Sequence, residues 1–253
     1  MVYDRLKSLS CRLLAQSQRW LLPARCIACG DDGGLFFPST ECLSLDLCRG
    51  CYLQLPFNQH SCQLCSLPLN SSGAQLICGE CLRSPPDYDR SFCPFEYRYP
   101  ISDLIRHFKY GNHLATARVL AELLSHHLRL QRTHPWPDCI IPVPLHTQRY
   151  RQRGYNQVIE VGWYLHRRLN LPLRLDVLER TRATPEQAGL TRQARQKNLR
   201  RAFNAVSAMI PRKVAILDDV ITTGSTVQEV ASTLYKAGVE QIEVWGVARA
   251  AHR

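Results

Sequence analysis

Apolar residues follow two kinds of pattern along this chain of 253 residues. From residue 91 onward they recur at regular spacing. Ile101, Leu104, Ile105 and Phe108 share one helical face, and Val119, Leu120, Leu123, Leu124 and Leu128 share another, which predicts two helices parted near Gly111. A short apolar run, CIIPV from Cys139, predicts a buried strand. A loop carrying Arg149, Arg151, Arg153 and Gly154 follows, then a helix through Ile159, Val161, Leu165 and Leu169. Towards the C-terminus VAIL predicts another buried strand. Val227, Val230, Ala231, Leu234 and Tyr235 then form a helical face closed by Gly238, and QIEVWGVA returns to a strand. Strand, loop, helix and strand in that order build a parallel sheet, and such sheets bind ligands beyond the carboxyl ends of their strands.

The first 90 residues lack long apolar periodicity and are rich in turn residues. The paired prolines Pro85 and Pro86 mark the change, which predicts two units, 1–90 and 91–253. Such a segment could hardly bury a core unaided. It carries four C-x-x-C pairs: Cys26/Cys29, Cys48/Cys51, Cys62/Cys65 and Cys78/Cys81. The first twenty residues mix Asp4, Arg5, Lys7 and Arg12 among their leucines, which does not fit a secretory signal, so a cytoplasmic protein is expected. Thiols stay reduced there, and paired cysteines argue for structural Zn2+ held by four thiolates with no open position. Eighteen residues separate the first two pairs and twelve the last two. Two consecutive sites are expected; an interleaved arrangement, first with third and second with fourth, stays open. Cys11, Cys42, Cys93 and Cys139 are expected to be small buried hydrophobes. Leu6, Leu9, Leu13 and Leu14 suggest a helical packing face, and no stretch approaches the roughly 18 to 20 apolar residues of a membrane span.

A net charge of +11 favours anionic partners. Between Arg149 and Arg201 thirteen basic residues face four acids, Glu160, Asp176, Glu179 and Glu186, a net of +9, so an anion-facing surface is expected in this stretch.

Residues 214–226, VAILDDVITTGST, run from an apolar strand into two acids and a string of hydroxyls around one glycine. A small, hydroxyl-rich loop leading into a helix offers N–H groups and a positive dipole end to a phosphate. Gly224 lets the chain approach the anion closely. Carboxylates accept hydrogen bonds from hydroxyls or help hold a cation. A ligand with a vicinal diol and a phosphate, a ribose 5-phosphate, answers both halves.

The stretch resembles the phosphoribosyl pyrophosphate (PRPP) signature of type I phosphoribosyltransferases. The resemblance implies that Asp218 and Asp219 meet the ribose hydroxyls and that Thr222, Thr223, Gly224, Ser225 and Thr226 hold the 5-phosphate, with Mg2+ accompanying PRPP. A wider resemblance takes in the C-x-x-C pairs, IRHFKYGNH, PVPLHTQRYRQRGYNQ, RTRATPEQAGLTRQARQKNLRRAF and the PRPP stretch. In that order they are similar to the ComF family of competence proteins, especially its GntX branch. It implies an α/β fold, a type I phosphoribosyltransferase-like parallel sheet flanked by helices, preceded by a double zinc ribbon, and a role in uptake or utilization of external DNA.

In the phosphoribosyltransferases that this chain resembles, the loop after an earlier strand receives the pyrophosphate, and Arg149 and Arg153 are the candidates to clamp it. Tyr150 and Tyr155 flank these arginines and suit packing better than base stacking. The stretch with Arg180, Arg182, Gln187, Arg192, Arg195, Lys197 and Asn198 reads equally as a mobile active-site loop or as a contact for nucleic acid. Lys109 stands at a family position, and His107 suggests packing. No pocket for an acceptor base is recognisable, so catalysis stays open. The alternative is a non-catalytic adaptor that handles single-stranded DNA, or a DNA-uptake helicase, through the zinc module and the Arg-rich loop.

Overall fold

The computed structural model describes residues 24–34, 45–69, 76–111, 114–182, 199, 201–207 and 209–251. Leu6, Leu9, Leu13, Leu14, Cys11, Cys42, Gln187, Arg192, Arg195, Lys197 and Asn198 lie outside them.

Two five-residue helices, α1 (Arg49–Leu53) and α2 (Gly79–Arg83), sit in the cysteine-rich part. The strands β1 (Arg90–Phe92) and β2 (Phe95–Glu96) follow, then α3 (Ile101–Tyr110) and α4 (Leu114–Gln131). Next come β3 (Cys139–Pro142), α5 (Thr147–Arg153), α6 (Gln157–Leu169), β4 (Leu178–Arg180) and β5 (Phe203–Ala205). The chain closes with β6 (Lys213–Ile221), α7 (Ser225–Lys236) and β7 (Gln241–Arg249).

The main sheet runs in the order β1-β7-β6-β3, with β2 continuing the edge beside β7, and every pairing in it is parallel. β4 and β5 form a separate antiparallel pair. Because alternate residues of a strand face opposite ways, β6 feeds two cores. Ala215 and Leu217 join Trp245 and Val247 of β7 under α3, α4 and α6. Val214 and Ile216 join Ile242 and Val244 under Val227, Val230, Ala231 and Leu234 of α7. The result is a parallel sheet flanked by helices with a cysteine-rich module before it, the expected architecture. Cys93 and Cys139 are 4% and 1% exposed, as expected of small core residues.

Two expectations differ from the structure. The arginine loop after β3 is a helix, α5, because the His146 ring accepts a hydrogen bond from the Gln148 N–H at 3.2 Å and caps it, and Gly154 ends it in the left-handed region at φ 79°. Strand β6 also outlasts its apolar run. Asp218 pairs with Gly246 and Ile221 with Arg249, so both acids belong to the strand. A side chain on Gly246 would meet Cys93 Sγ at 2.9 Å, so the glycine is what allows the edge segment to pack here.

Candidate functional site

The four sulfurs of Cys26, Cys29, Cys48 and Cys51 gather at one place, and those of Cys62, Cys65, Cys78 and Cys81 at another, each set lying within 4.8 Å of one another. The consecutive arrangement therefore holds and the interleaved one does not. A tetrahedral ion with Zn–S bonds of about 2.3 Å sets its sulfurs about 3.8 Å apart. Cys29 and Cys48 are 3.8 Å apart at sulfur, and Cys65 and Cys78 are 3.7 Å apart. The second pair of each site also opens a helix. Cys48 Sγ accepts from the Cys51 N–H at 3.3 Å to cap α1, and Cys78 Sγ accepts from the Cys81 N–H at 3.5 Å to cap α2. Both donor sets fit zinc.

At the carboxyl end of β6, Asp218 and Asp219 lead into the loop 222–224. Gly224, at φ 76°, turns the chain into α7. The Thr223 and Ser225 hydroxyls lie 2.9 Å apart, and the Ser225 N–H points to Thr223 Oγ1 at 3.4 Å. Ser225, Thr226 and the first turn of this twelve-residue helix present N–H groups and a dipole end suited to an anion. Asp218 accepts from the Asp219 N–H at 2.9 Å, and Asp219 accepts from the Val220 N–H at 2.7 Å. Burial raises the Asp218 carboxyl above the usual carboxylate range, and the Asp219 charge adds to this against the pull of Lys109 and Arg180.

Lys109 of α3 forms an ion pair with Asp219, Nζ to Oδ2 2.8 Å, with the lysine side chain 21% exposed. Burial pulls this ammonium down, but the charge and hydrogen bond of Asp219, with Asp218, outweigh it and the net shift is upward. Lys109 is thus a component of the site. His107, expected to pack, is exposed, because the buried stripe of α3 is Ile101, Leu104, Ile105 and Phe108 and position 107 falls off it.

The segment after β3 leaves the sheet beside these acids: the Val143 N–H donates to the Leu217 carbonyl at 2.9 Å, one residue before Asp218. This brings Arg149 and Arg153 of α5 to the same end of the sheet. Arg153 donates to Gln157 Oε1 at 3.3 Å and lies over the Tyr110 ring at 5.4 Å. Tyr155 packs against Phe108 and donates its hydroxyl to the Phe108 carbonyl, while Tyr150 is exposed. A cavity of about 440 Å³ lies elsewhere, between Asn58 and Gln63, Arg90 of β1 and Arg132 after α4; no residue of the loop 222–226 lines it.

Arg249, at the end of β7, went unread. It is 2% exposed and donates to the carbonyls of Cys65 at 2.8 Å, Ile221 at 3.0 Å and Ala250 at 2.8 Å, and to that of Thr222. One guanidinium thus ties the second cysteine site to the hydroxyl-rich loop. The available signal was a lone cation closing a strand that is otherwise apolar over its last five residues.

The family described as Double zinc ribbon domain matches residues 17–82. Competence protein F of Haemophilus influenzae is 41% identical over 210 residues, which covers 81% of this chain and 90% of that protein. DNA utilization protein YhgH of Escherichia coli is 34% identical over 206 residues, covering 80% and 90%. Competence protein ComFC of Streptococcus pneumoniae is 26% identical over 158 residues, covering 61% and 66%. Among solved structures, the glutamine PRPP amidotransferase of B. subtilis matches with TM-score 0.35 and 20% identity, over 52% of this chain and 26% of that one. A purine phosphoribosyltransferase of Pyrococcus horikoshii matches with TM-score 0.31 and 19% identity, over 51% and 80%.

Proposed function

The chain belongs to the ComF/GntX family of competence and DNA utilization proteins, and from that premise we propose that it binds PRPP with Mg2+ in the service of uptake or utilization of external DNA. The observation that carries this reading is the pair of acids at the end of β6 opening, through Gly224, onto the N-terminus of α7. The roles follow from the chemistry. Asp218 and Asp219 accept from the ribose diol, Thr222 to Thr226 hold the 5-phosphate, and Arg149 and Arg153 take the pyrophosphate. Carboxylates and diphosphate oxygens are the hard donors that Mg2+ takes, and the ion would offset charge on the leaving group. Displacement of pyrophosphate from the anomeric carbon needs no protein nucleophile, only orientation and charge stabilisation. The division into a ribbon module, 1–90, and a phosphoribosyltransferase-like unit, 91–253, belongs to the same proposal, as does a cytoplasmic location. Among the described residues no helix is long and apolar enough to cross a membrane.

The test is calorimetric titration of PRPP and Mg2+ into zinc-loaded protein beside the double variant Asp218→Asn, Asp219→Asn. Saturable binding, weakened at least about tenfold in the variant, is expected from losing two charged acceptors. No heat from the wild type would overturn the reading. The net of +9 between Arg149 and Arg201 favours a second reading, an adaptor for single-stranded DNA. On that reading, DNA affinity falls steeply with salt and is lost with Arg192→Ala and Arg195→Ala.

A further inference from the structure

We propose that Lys109 is a third cation of the pyrophosphate subsite, placed between the ribose carboxylates and the arginines of α5. This rests on the PRPP reading above. One turn of α3 spans the gap. Its Lys109 Nζ reaches Asp219 Oδ2 at 2.8 Å. The two neighbours of Lys109 are tied to the segment after β3: the Phe108 carbonyl accepts from the Tyr155 hydroxyl, and the Tyr110 ring lies under Arg153 at 5.4 Å. The backbone of α3 at Lys109 is therefore anchored beside Arg153 and Tyr155, while its ammonium reaches Asp219.

The chemistry of the ligand points to the same place. With the 5-phosphate on the start of α7 and the diol on the carboxylates, the anomeric carbon adjoins the 2-hydroxyl, so the pyrophosphate begins next to the acids. Two carboxylates beside a polyanion repel it unless cations intervene. An ammonium has three N–H donors. Among the described residues Lys109 spends them on Asp219 alone, which leaves donors for a pyrophosphate oxygen without giving up the ion pair. The arginines engage the far end of the diphosphate; Lys109 meets it where it joins the sugar. A residue placed there separates PRPP from ligands that share its ribose phosphate but lack the diphosphate.

The experiment compares PRPP with ribose 5-phosphate, each titrated with Mg2+ into wild type, Lys109→Met and Lys109→Arg. The expected result is that Lys109→Met lowers the preference for PRPP over ribose 5-phosphate at least about tenfold, the worth of one charge-assisted contact, and that Lys109→Arg restores part of it. Equal weakening of both ligands would make Lys109 a support for Asp219 and overturn the inference, as would an unchanged preference. A wild type that binds neither ligand overturns the PRPP reading and this inference together, so the two failures are told apart by the wild-type arm. Should Lys109→Met not fold with Asp219 unpaired, Asp219→Asn alone is compared with Asp219→Asn, Lys109→Met. The preference then survives in the first and falls in the second, or the inference fails.

Discussion

The two cysteine ribbons share four-cysteine ligand sets and sulfur-capped helices, yet different forces hold them. In the first, Cys29 is exposed and Cys48 and Cys51 are half-buried, but Leu45, Leu47 and Leu55 are at most 4% exposed and belong to the core beneath α3 and α4. In the second, the four cysteines are themselves the buried cluster, and the apolar residues packed against them, Leu64, Leu67, Leu69 and Ile77, are only half-buried. Its ties to the sheet are polar. Asn58 Nδ2 donates to the carbonyls of Ser66 at 2.8 Å and Cys93 at 3.2 Å, the Ser66 and Ser91 hydroxyls meet at 2.7 Å, and Arg249 reaches the Cys65 carbonyl. The first ribbon is an outgrowth of the hydrophobic core that carries a metal site. The second is a metal site whose own core is that site, fastened by hydrogen bonds to the loop beside it.

The sharpest way to break this contrast is to remove one ligand from each ribbon. A structural zinc site of this kind contributes on the order of 10 kcal/mol to the fold of its module. Cys81→Ser should leave one zinc per chain by atomic absorption and open residues 62–81 to limited proteolysis. The matching Cys29→Ser should also lose one zinc but leave the surroundings of Leu47 protected from hydrogen exchange. Equal proteolysis of the two ribbons would remove the distinction.

Next in size is Leu47→Ala. Leu47 is fully buried, so its truncation should cost about 2 to 5 kcal/mol in urea unfolding while zinc stoichiometry stays at the wild-type value. Arg249→Met follows. It strips the carbonyls of Cys65, Ile221, Thr222 and Ala250 of their shared donor, and a loss of about 2 kcal/mol is expected. Because that donor joins ribbon to loop, PRPP affinity should fall with it, whereas Leu47→Ala should leave affinity near wild type.

The smallest effect concerns acid. His127 on α4 packs between Phe57, beyond the first ribbon, and Phe95 of β2, with ring centroids 5.3 and 5.7 Å away. Burial, then the charge of His126, lowers it to about 4. The unfolded chain titrates near the ordinary value of about 6.5, so below that pH it binds more protons than the native state. Stability present at neutral pH is thus lost as pH falls from about 6.5 towards 4. Roughly 1 kcal/mol of this loss should vanish in His127→Phe, read as the difference between urea midpoints at pH 7 and pH 5.

How much of this was legible depended on the range of the signal. Helices α3, α4, α6 and α7 and strands β3, β6 and β7 announce themselves because burial repeats within a few residues of sequence. The cysteine pairs are legible for the same reason, but their partition is not, since spacings of eighteen and twelve residues permit either arrangement. The acids were legible as chemistry and misplaced as structure. Asp218 and Asp219 read as loop residues because the apolar run stops at Leu217, yet β7 runs alongside them and keeps β6 extended to Ile221. His107 and Lys109 differ by two positions on one helix. The α3 stripe decides that one faces solvent and the other faces Asp219, and nothing local names that carboxylate.

By itself, then, the sequence determined the inventory: a module of four cysteine pairs, a parallel α/β unit, and two acids with a hydroxyl-rich loop at a strand end, each written in neighbouring residues. Only the tertiary structure decided how these parts are joined. The consecutive cysteine sites, the Lys109–Asp219 pair and the Arg249 link all connect groups from separate chain segments, and Arg249 reaches across 184 positions to Cys65. Contacts of that kind arise when separate elements pack against the same sheet and buried polar groups must find partners there, a requirement that no local pattern of residues carries.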